Sequence, residues 1–282
     1  MAQKQKNVNE SMKMLEEGIK KVTSQENFLR YLHVQSQMYH YSVNNLILIA
    51  LQKPDATMVA GFQKWKSLGR HVKAGEKGIR ILAPYTYSVK EKDETTGEEK
   101  DTKRVGFSTT TVFDLSQTDG KPIPQICHEL KGTVDEYKTI LEAITEVADV
   151  PVMYENITDG SLGYFSRTSK KIVIKTGMSE KQTVKTLCHE VAHSVLHVGD
   201  GAVKPREVKE VEAESVAYVV CDHFGIECGD YSFEYLGSWG SRDMKELQAS
   251  FNVIHDVASK LIDNIEARLA LKNIDEQEKA AV

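Results

Sequence analysis

The chain has 282 residues, 40% hydrophobic and 27% charged, with a formal net charge of −5, which is the composition of folded domains rather than of a disordered chain. Its longest strongly apolar run, Leu46 to Leu51, is far short of the ~20 residues that span a bilayer. MAQKQKNVNESMK offers no apolar signal segment, and Cys127, Cys188, Cys221 and Cys228 lack any C-x-x-C spacing, which suits a reducing compartment. Secreted, membrane-spanning and disulfide-framework classes are excluded, and the expectation is a cytoplasmic protein with no membrane partner.

The charge is unevenly spread. Residues 1–90 hold 14 Lys or Arg against six Asp or Glu, a balance of +8, so residues 91–282 carry −13. This asymmetry predicts two modules with different partners, the basic one facing a polyanion.

In chain order, Thr23–Ser24–Gln25–Glu26 reads as a capping box, and Phe28, Leu29, Leu32, Gln35 and Met38 follow at helical spacing. A second helix covers Val43 to Gln52, stopped by Pro54. Ala60 to Leu68 reads as a short helix closed by Gly69 in a left-handed cap. Turn residues 71–78 lead to two strands, Ile79–Val89 and Arg104–Phe113, rich in β-branched and aromatic residues, with the charged stretch EKDETTGEEKDTK between them as a solvated loop. Gly120 to Gln125, with Pro122 and Pro124, reads as the interdomain linker.

Thr133 to Glu136 is another capping box, opening a helix to about Ala148. Short strands are expected at Val152–Tyr154, Leu162–Ser166 and Lys171–Lys175. Ser179, with Gln182 three residues on, opens a helix to about His197. Further helices run from Pro205 to Phe224, with Gly225 as the stop, and from Asp243 to Leu271. The fold class is α+β in two domains: a basic module over residues 1–120 and a zincin-like α+β module over 126–282 that ends in the long helix.

The chemistry lies in His189–Glu190–Val191–Ala192–His193. Two histidines four apart share a helix face, so both imidazoles can reach one Zn²⁺. Glu190 between them is placed to take the proton of an attacking water. The third ligand is not the metzincin histidine, because HEVAHSVLHVGD lacks both the glycine and the histidine of that longer motif. His197, a turn further on, suits a supporting role. The next helix offers Glu210 and Glu214, four apart on one face among Val211, Ala213, Val216 and Ala217. That spacing fits one metal ligand plus one carboxylate that accepts the other ring N–H of a ligating histidine. Glu207 and Glu212 are expected to face solvent.

Residues of about 130–225, with their short strands, HExxH helix and following Glu210-x-x-Ala213-Glu214-x-x-Ala217 pattern, resemble the ImmA/IrrE-type zinc metallopeptidases. The resemblance implies His189, His193 and Glu210 as zinc ligands and Glu190 as general base. Family members often carry a neutral amide where this chain has Glu214, which leaves the choice between Glu210 and Glu214 open, with Glu210 the expected ligand.

The run Tyr41–Ser42–Val43–Asn44–Asn45–Leu46, then Pro54–Asp55–Ala56–Thr57, then Gly61–Phe62–Gln63–Lys64–Trp65–Lys66 on to Lys77–Gly78–Ile79 is similar to the N-terminal domain of ArdC-type antirestriction proteins, over residues of about 10–115. This resemblance implies single-stranded DNA binding ahead of a zinc metallopeptidase domain with an unidentified protein or peptide substrate. Bases with interleaved aromatics agree with it, since single-strand binders combine a cationic surface with stacking rings. Lys64, Trp65, Lys66, Arg70, Lys73, Lys77 and Arg80 are the expected DNA-binding residues. Two rival readings are a DNA-binding antirestriction protein with a structural or vestigial zinc site, and a metallopeptidase-like regulator that binds a protein partner.

Overall fold

The computed structural model describes residues 2–92, 99–123, 134–196, 204–226 and 233–280. In chain order these form α1 (Ala2–Val22), α2 (Gln25–Gln37), α3 (Val43–Gln52), β1 (Val59–Gly61), α4 (Phe62–Ser67), β2 (Arg70–Val72), β3 (Ile79–Lys92), β4 (Glu99–Asp114) and β5 (Thr118–Gly120). There follow α5 (Val134–Val147), β6 (Val152–Glu155), β7 (Gly163–Ser166), β8 (Lys171–Lys175), α6 (Glu180–Leu196), α7 (Arg206–His223), α8 (Leu236–Gly240) and α9 (Met244–Ala280). The α+β class is as expected. The chain forms two compact units: residues 1–20 with 44–123, and residues 21–43 with 124–282.

In the first unit, β3 and β4 pair antiparallel from Ile79↔Val112 out to Lys92↔Glu99, and β1 adds to the other edge of β4. The ribbon is longer than the sequence suggests, since the pairing continues through Lys90↔Asp101, Glu91↔Lys100 and Lys92↔Glu99. Val59 to Gly61 is strand rather than the start of a helix, since the edge of β4 takes up its main chain. α4 therefore begins at Phe62, and Gly69 closes it with φ +74 as expected. α3 lies against the sheet through Asn45, whose side-chain amide donates to Leu82 O and accepts from Leu82 N, both at 2.9 Å. β2 and β5 form a separate two-stranded ribbon.

α1 is not among the expected elements, although Leu15 and Ile19 are buried one turn apart on it. α2 starts at the expected place without the capping box: Ser24 occupies the N-cap, makes no side-chain cap bond, and donates instead to Lys21 O. The capping box at Thr133 lies outside the described residues.

In the second unit, β6 runs parallel to β8 and β7 antiparallel to it, in the order β6-β8-β7, so among the described residues β7 is an edge strand. Ile172, Val173 and Ile174 of β8 are fully buried, as expected for the central strand. α6 packs on this sheet, and α5, α7 and α9 pack on α6. α2 belongs to this unit because its apolar face enters the same core. Phe28 sits 5.0 Å from Phe233 and 5.2 Å from Trp239 by ring centroid, and Tyr31 sits 4.9 Å from Phe251. Among the described residues, no helix is long and apolar enough to cross a membrane.

Candidate metal centre

α6 starts on Ser179, whose hydroxyl accepts the N–H of Gln182 at 3.3 Å. Val184, Leu187, Cys188 and Val191 are buried on its core side, which leaves His189 and His193 on the side facing α7. α7 is anchored by Val208, Val211, Ala213, Val216 and Ala217, all buried, and presents Glu210 and Glu214 toward α6.

Three donor atoms converge. His189 Nε2 and His193 Nε2 are 3.0 Å apart, and each lies 3.6 Å from Glu210 Oε2. A tetrahedral zinc with bonds near 2.0–2.1 Å requires ligand–ligand separations of about 3.3 Å, so this triangle fits such an ion and leaves one apex for a fourth partner. At 3.6 Å the carboxylate is beyond hydrogen-bond length of either ring, whereas two ring nitrogens at 3.0 Å need a proton or a cation between them. Among the described residues these three form the one cluster of His, Cys or acidic groups close enough to share a metal.

Glu214 lies on the other side of His189, its Oε2 3.1 Å from Nδ1 and its Oε1 3.0 Å from Lys185 Nζ. The Nδ1 contact is close in distance but off-line in angle, so it is chiefly electrostatic. Its effect is to hold the proton on Nδ1 and bare Nε2 toward the triangle. Burial opposes charge on His189, but Glu210 and Glu214 outweigh it and hold its pKa up to about 9. The two histidines hold Glu210 well below the usual carboxylate range. Burial resists ionisation of Glu214, and His189 and Lys185 more than offset it.

Glu190 is 7% exposed, and burial raises its pKa against the pull of the neighbouring histidines and a main-chain bond from Phe165. A raised carboxylate beside a cation site is poised for proton transfer. A cleft of about 440 Å³ opens here, lined by Gly163, Tyr164 and Phe165 of β7, by Glu190, His189, His193 and Glu210, and by Arg167, Arg206 and Lys209. Gly163 lets β7 approach α6, since a Cβ there would lie 2.8 Å from Thr186 Cγ2. No motif marks the three cations or Lys185; only the fold gathers them. His197 lies outside the described residues.

One expectation on α7 is overturned. Glu212 does not face solvent: it is fully buried, bonded to Lys204 Nζ at 2.7 Å and 2.8 Å and to Ser250 Oγ at 2.7 Å. α9 covers that side of α7, so the face that looked polar in sequence is an interior one with a matched charge.

In the first unit, Lys64, Lys66, Lys77 and Arg80 are exposed, with Arg80 3.2 Å from Glu10. Trp65 is the correction here. It is fully buried and its indole N–H donates to Phe113 O at 2.8 Å, so it is a core residue and cannot stack on a base. Arg70 is bound to main-chain oxygens of Thr118 at 2.8 Å and Lys121 at 2.5 Å, and Lys73 Nζ donates to Ser116 O at 3.0 Å. Both fasten the β2–β5 ribbon.

Fold and site together define a two-unit protein whose second unit has the build of a metallopeptidase domain. Residues 145–221 match the IrrE N-terminal-like domain family, a peptidase family by its model, and residues 2–113 match the N-terminal domain of anti-restriction factor ArdC. These two domains in this order fit the ArdC-type antirestriction proteins. The crystal structure of antirestriction ArdC protein from the R388 plasmid in its metal-free form shares the fold, at TM-score 0.52 and 22% identity over 82% of this chain and 85% of that one. Its Mn(II)-bound structure matches at TM-score 0.50 and 19% identity over 81% and 84%. An uncharacterized protein of Bacillus anthracis is 26% identical over 92% of this chain and 51% of its own length; the chain thus spans about half of that relative.

Proposed function

We propose that the chain is a zinc-dependent peptidase joined to a single-stranded DNA-binding module. The observation that carries the first part is the triangle of His189 Nε2, His193 Nε2 and Glu210 Oε2, with edges of 3.0, 3.6 and 3.6 Å, beside the buried Glu190. The Mn(II)-bound form of R388 ArdC supports a divalent ion in a protein of this fold. His189, His193 and Glu210 hold the metal, and Glu214 orients His189. A zinc ion held there supplies Lewis acidity at the peptide carbonyl.

The rest is done by this chain's own groups. Glu190 takes a proton from the attacking water and returns it to the leaving amine, a role its raised pKa suits. β7 orients the substrate. In an antiparallel pair, alternate residues turn their main-chain groups toward the partner; Lys175 N donates to Leu162 O, so Gly163 and Phe165 turn theirs to the other edge, where the Phe165 N–H bonds Glu190 and Gly163 offers its N–H and C=O to a substrate. An extended peptide can pair there, over Glu190.

The DNA reading rests on the +8 balance of residues 1–90, on the exposed Lys64, Lys66 and Lys77, and on the family of the first module.

Elemental analysis of metal-replete protein tests the centre. About one zinc per chain is expected, lost in His189→Ala and in His193→Ala. Glu190→Gln is expected to keep the metal and lower peptide cleavage by about 10²–10⁴-fold. A wild-type protein without stoichiometric metal refutes the reading.

A further inference from the structure

We infer that the cleft beside the metal centre takes a peptide bearing acidic residues next to the scissile bond; this rests on the peptidase reading and narrows it. Residues 21–43 and 124–282 hold 19 Lys or Arg against 28 Asp or Glu, so a cleft drawn from this unit at random would be acidic. Among the described residues, the charged ones lining this cleft away from the metal triangle and Glu190 are instead Arg167, Arg206 and Lys209. They come from separate places, the turn after β7 and the first turn of α7, and converge on the side that Glu190 serves. A smaller hollow of about 250 Å³ on the other side of His189 and Glu210 is lined by Glu210, Glu214 and Glu234 and, among the described residues, by no Lys or Arg. The sign of the charge therefore changes across the centre, and the side that holds the general base is the cationic one.

Nearby cations are already committed, Lys185 to Glu214 at 3.0 Å and Lys204 to Glu212 at 2.7 Å. Arg206 is different. It is 81% exposed and its Nε is 3.8 Å from Glu210 Oε1, a loose contact to a carboxylate that the metal would engage. Its guanidinium fork then suits a carboxylate from outside. Arg167 begins the turn that follows Ser166, so it stands at the end of the edge strand on which an extended substrate would lie. Side chains of such a substrate alternate in direction at about 3.3 Å per residue, which carries one residue in two toward the cationic wall.

A peptide fits better than a nucleic acid. β7 offers main-chain pairing, which a sugar–phosphate chain cannot use, and three cations around one cleft match a few carboxylates rather than a phosphate track. The acidic remainder of the unit repels a polyanion but not a short acidic stretch.

The test uses full-length, zinc-loaded Glu190→Gln protein and three fluorescein-labelled octapeptides. Each has Ala-Ala at its centre, flanked on both sides by Glu, by the isosteric Gln, or by Lys. Fluorescence anisotropy is expected to show the Glu peptide binding at least tenfold tighter than the Gln peptide, with the Lys peptide weakest. Combining Arg167→Gln, Arg206→Gln and Lys209→Gln is expected to erase that order, and Arg167→Gln alone to reduce it. Equal affinities, a preference for Lys, no binding of the Glu peptide, or a preference that survives the triple variant overturns the inference. Displacement of the Glu peptide by oligo(dT) that the triple variant abolishes also overturns it, by giving the cations to nucleic acid. Wild-type zinc-loaded protein is then incubated with the Glu peptide and followed by mass spectrometry. Selective binding without cleavage removes the peptidase reading and leaves the acidic-peptide site standing.

Discussion

Glu212 and Trp65 show how a residue's role depends on what covers it. Glu212 is buried between the partly exposed Lys204 and the buried Ser250, and removing its carboxylate leaves the Ser250 hydroxyl without that partner. Glu212→Ala is therefore expected to cost about 1–3 kcal/mol, seen as a lower urea midpoint, while Glu207→Ala stays within about 0.5 kcal/mol of wild type, as surface changes do. Equal midpoints would remove the structural role. For metal retention, Glu207→Ala is accordingly the sound control against Glu210→Ala, which is expected to lose zinc. Trp65 fills the core of the first unit and bonds Phe113 O. Its truncation is expected to cost about 3–5 kcal/mol as a folding defect, measured on the same chain by denaturation.

At the scale of elements, α2 is held in the second unit by polar groups as well as by its rings. His33 Nδ1 lies 2.8 Å from Asp222 Oδ2 of α7, Ser36 donates to the same oxygen, and buried His223 joins Ser36 O at 2.8 Å to Glu266 of α9 at 3.0 Å. The hydrogen bond to Asp222 raises the pKa of His33, against the opposing effect of burial. A raised histidine contributes stability that is fully present below its unfolded pKa of about 6.5 and is lost as pH rises through its higher folded pKa. The urea midpoint of wild type is thus expected to fall relative to that of His33→Gln as pH rises from 6.5. The difference should stay under about 1 kcal/mol, because the pair is partly solvated. Parallel pH profiles for the two proteins would refute this.

For the whole molecule, the +8 and −13 halves predict that salt governs nucleic-acid binding. Each phosphate neutralised on a single strand contributes about −0.7 to the slope of log affinity against log salt. Replacing exposed Lys64, Lys66 and Lys77 by Gln is expected to flatten the slope for oligo(dT) by up to about 2, while His189→Ala leaves it nearly unchanged. Arg70 is unsuited to this test, because its guanidinium fastens β5 and Lys121. An unchanged slope in the triple lysine variant would move the interface off this face.

What the sequence determined by itself is what local periodicity and spacing encode. The i, i+4 histidines of α6, the Glu210–Glu214 pair of α7, the left-handed Gly69 and Gly225 stops and the β3–β4 pair are all readable within a few turns of chain, because each rests on contacts between near neighbours. Tertiary structure decided the rest. Which of two carboxylates meets both Nε2 atoms depends on how α7 docks on α6. Whether Glu212 or Trp65 meets water depends on α9 and β4, and whether Val59 to Gly61 is helix or strand depends on β4 offering an edge. The cationic wall of Arg167, Arg206 and Lys209 has no signature at all, since residues some 40 apart become neighbours only when β7 and α7 close on one cleft. Burial and charge pairing between distant segments are properties of the packed chain, and no window of sequence contains them.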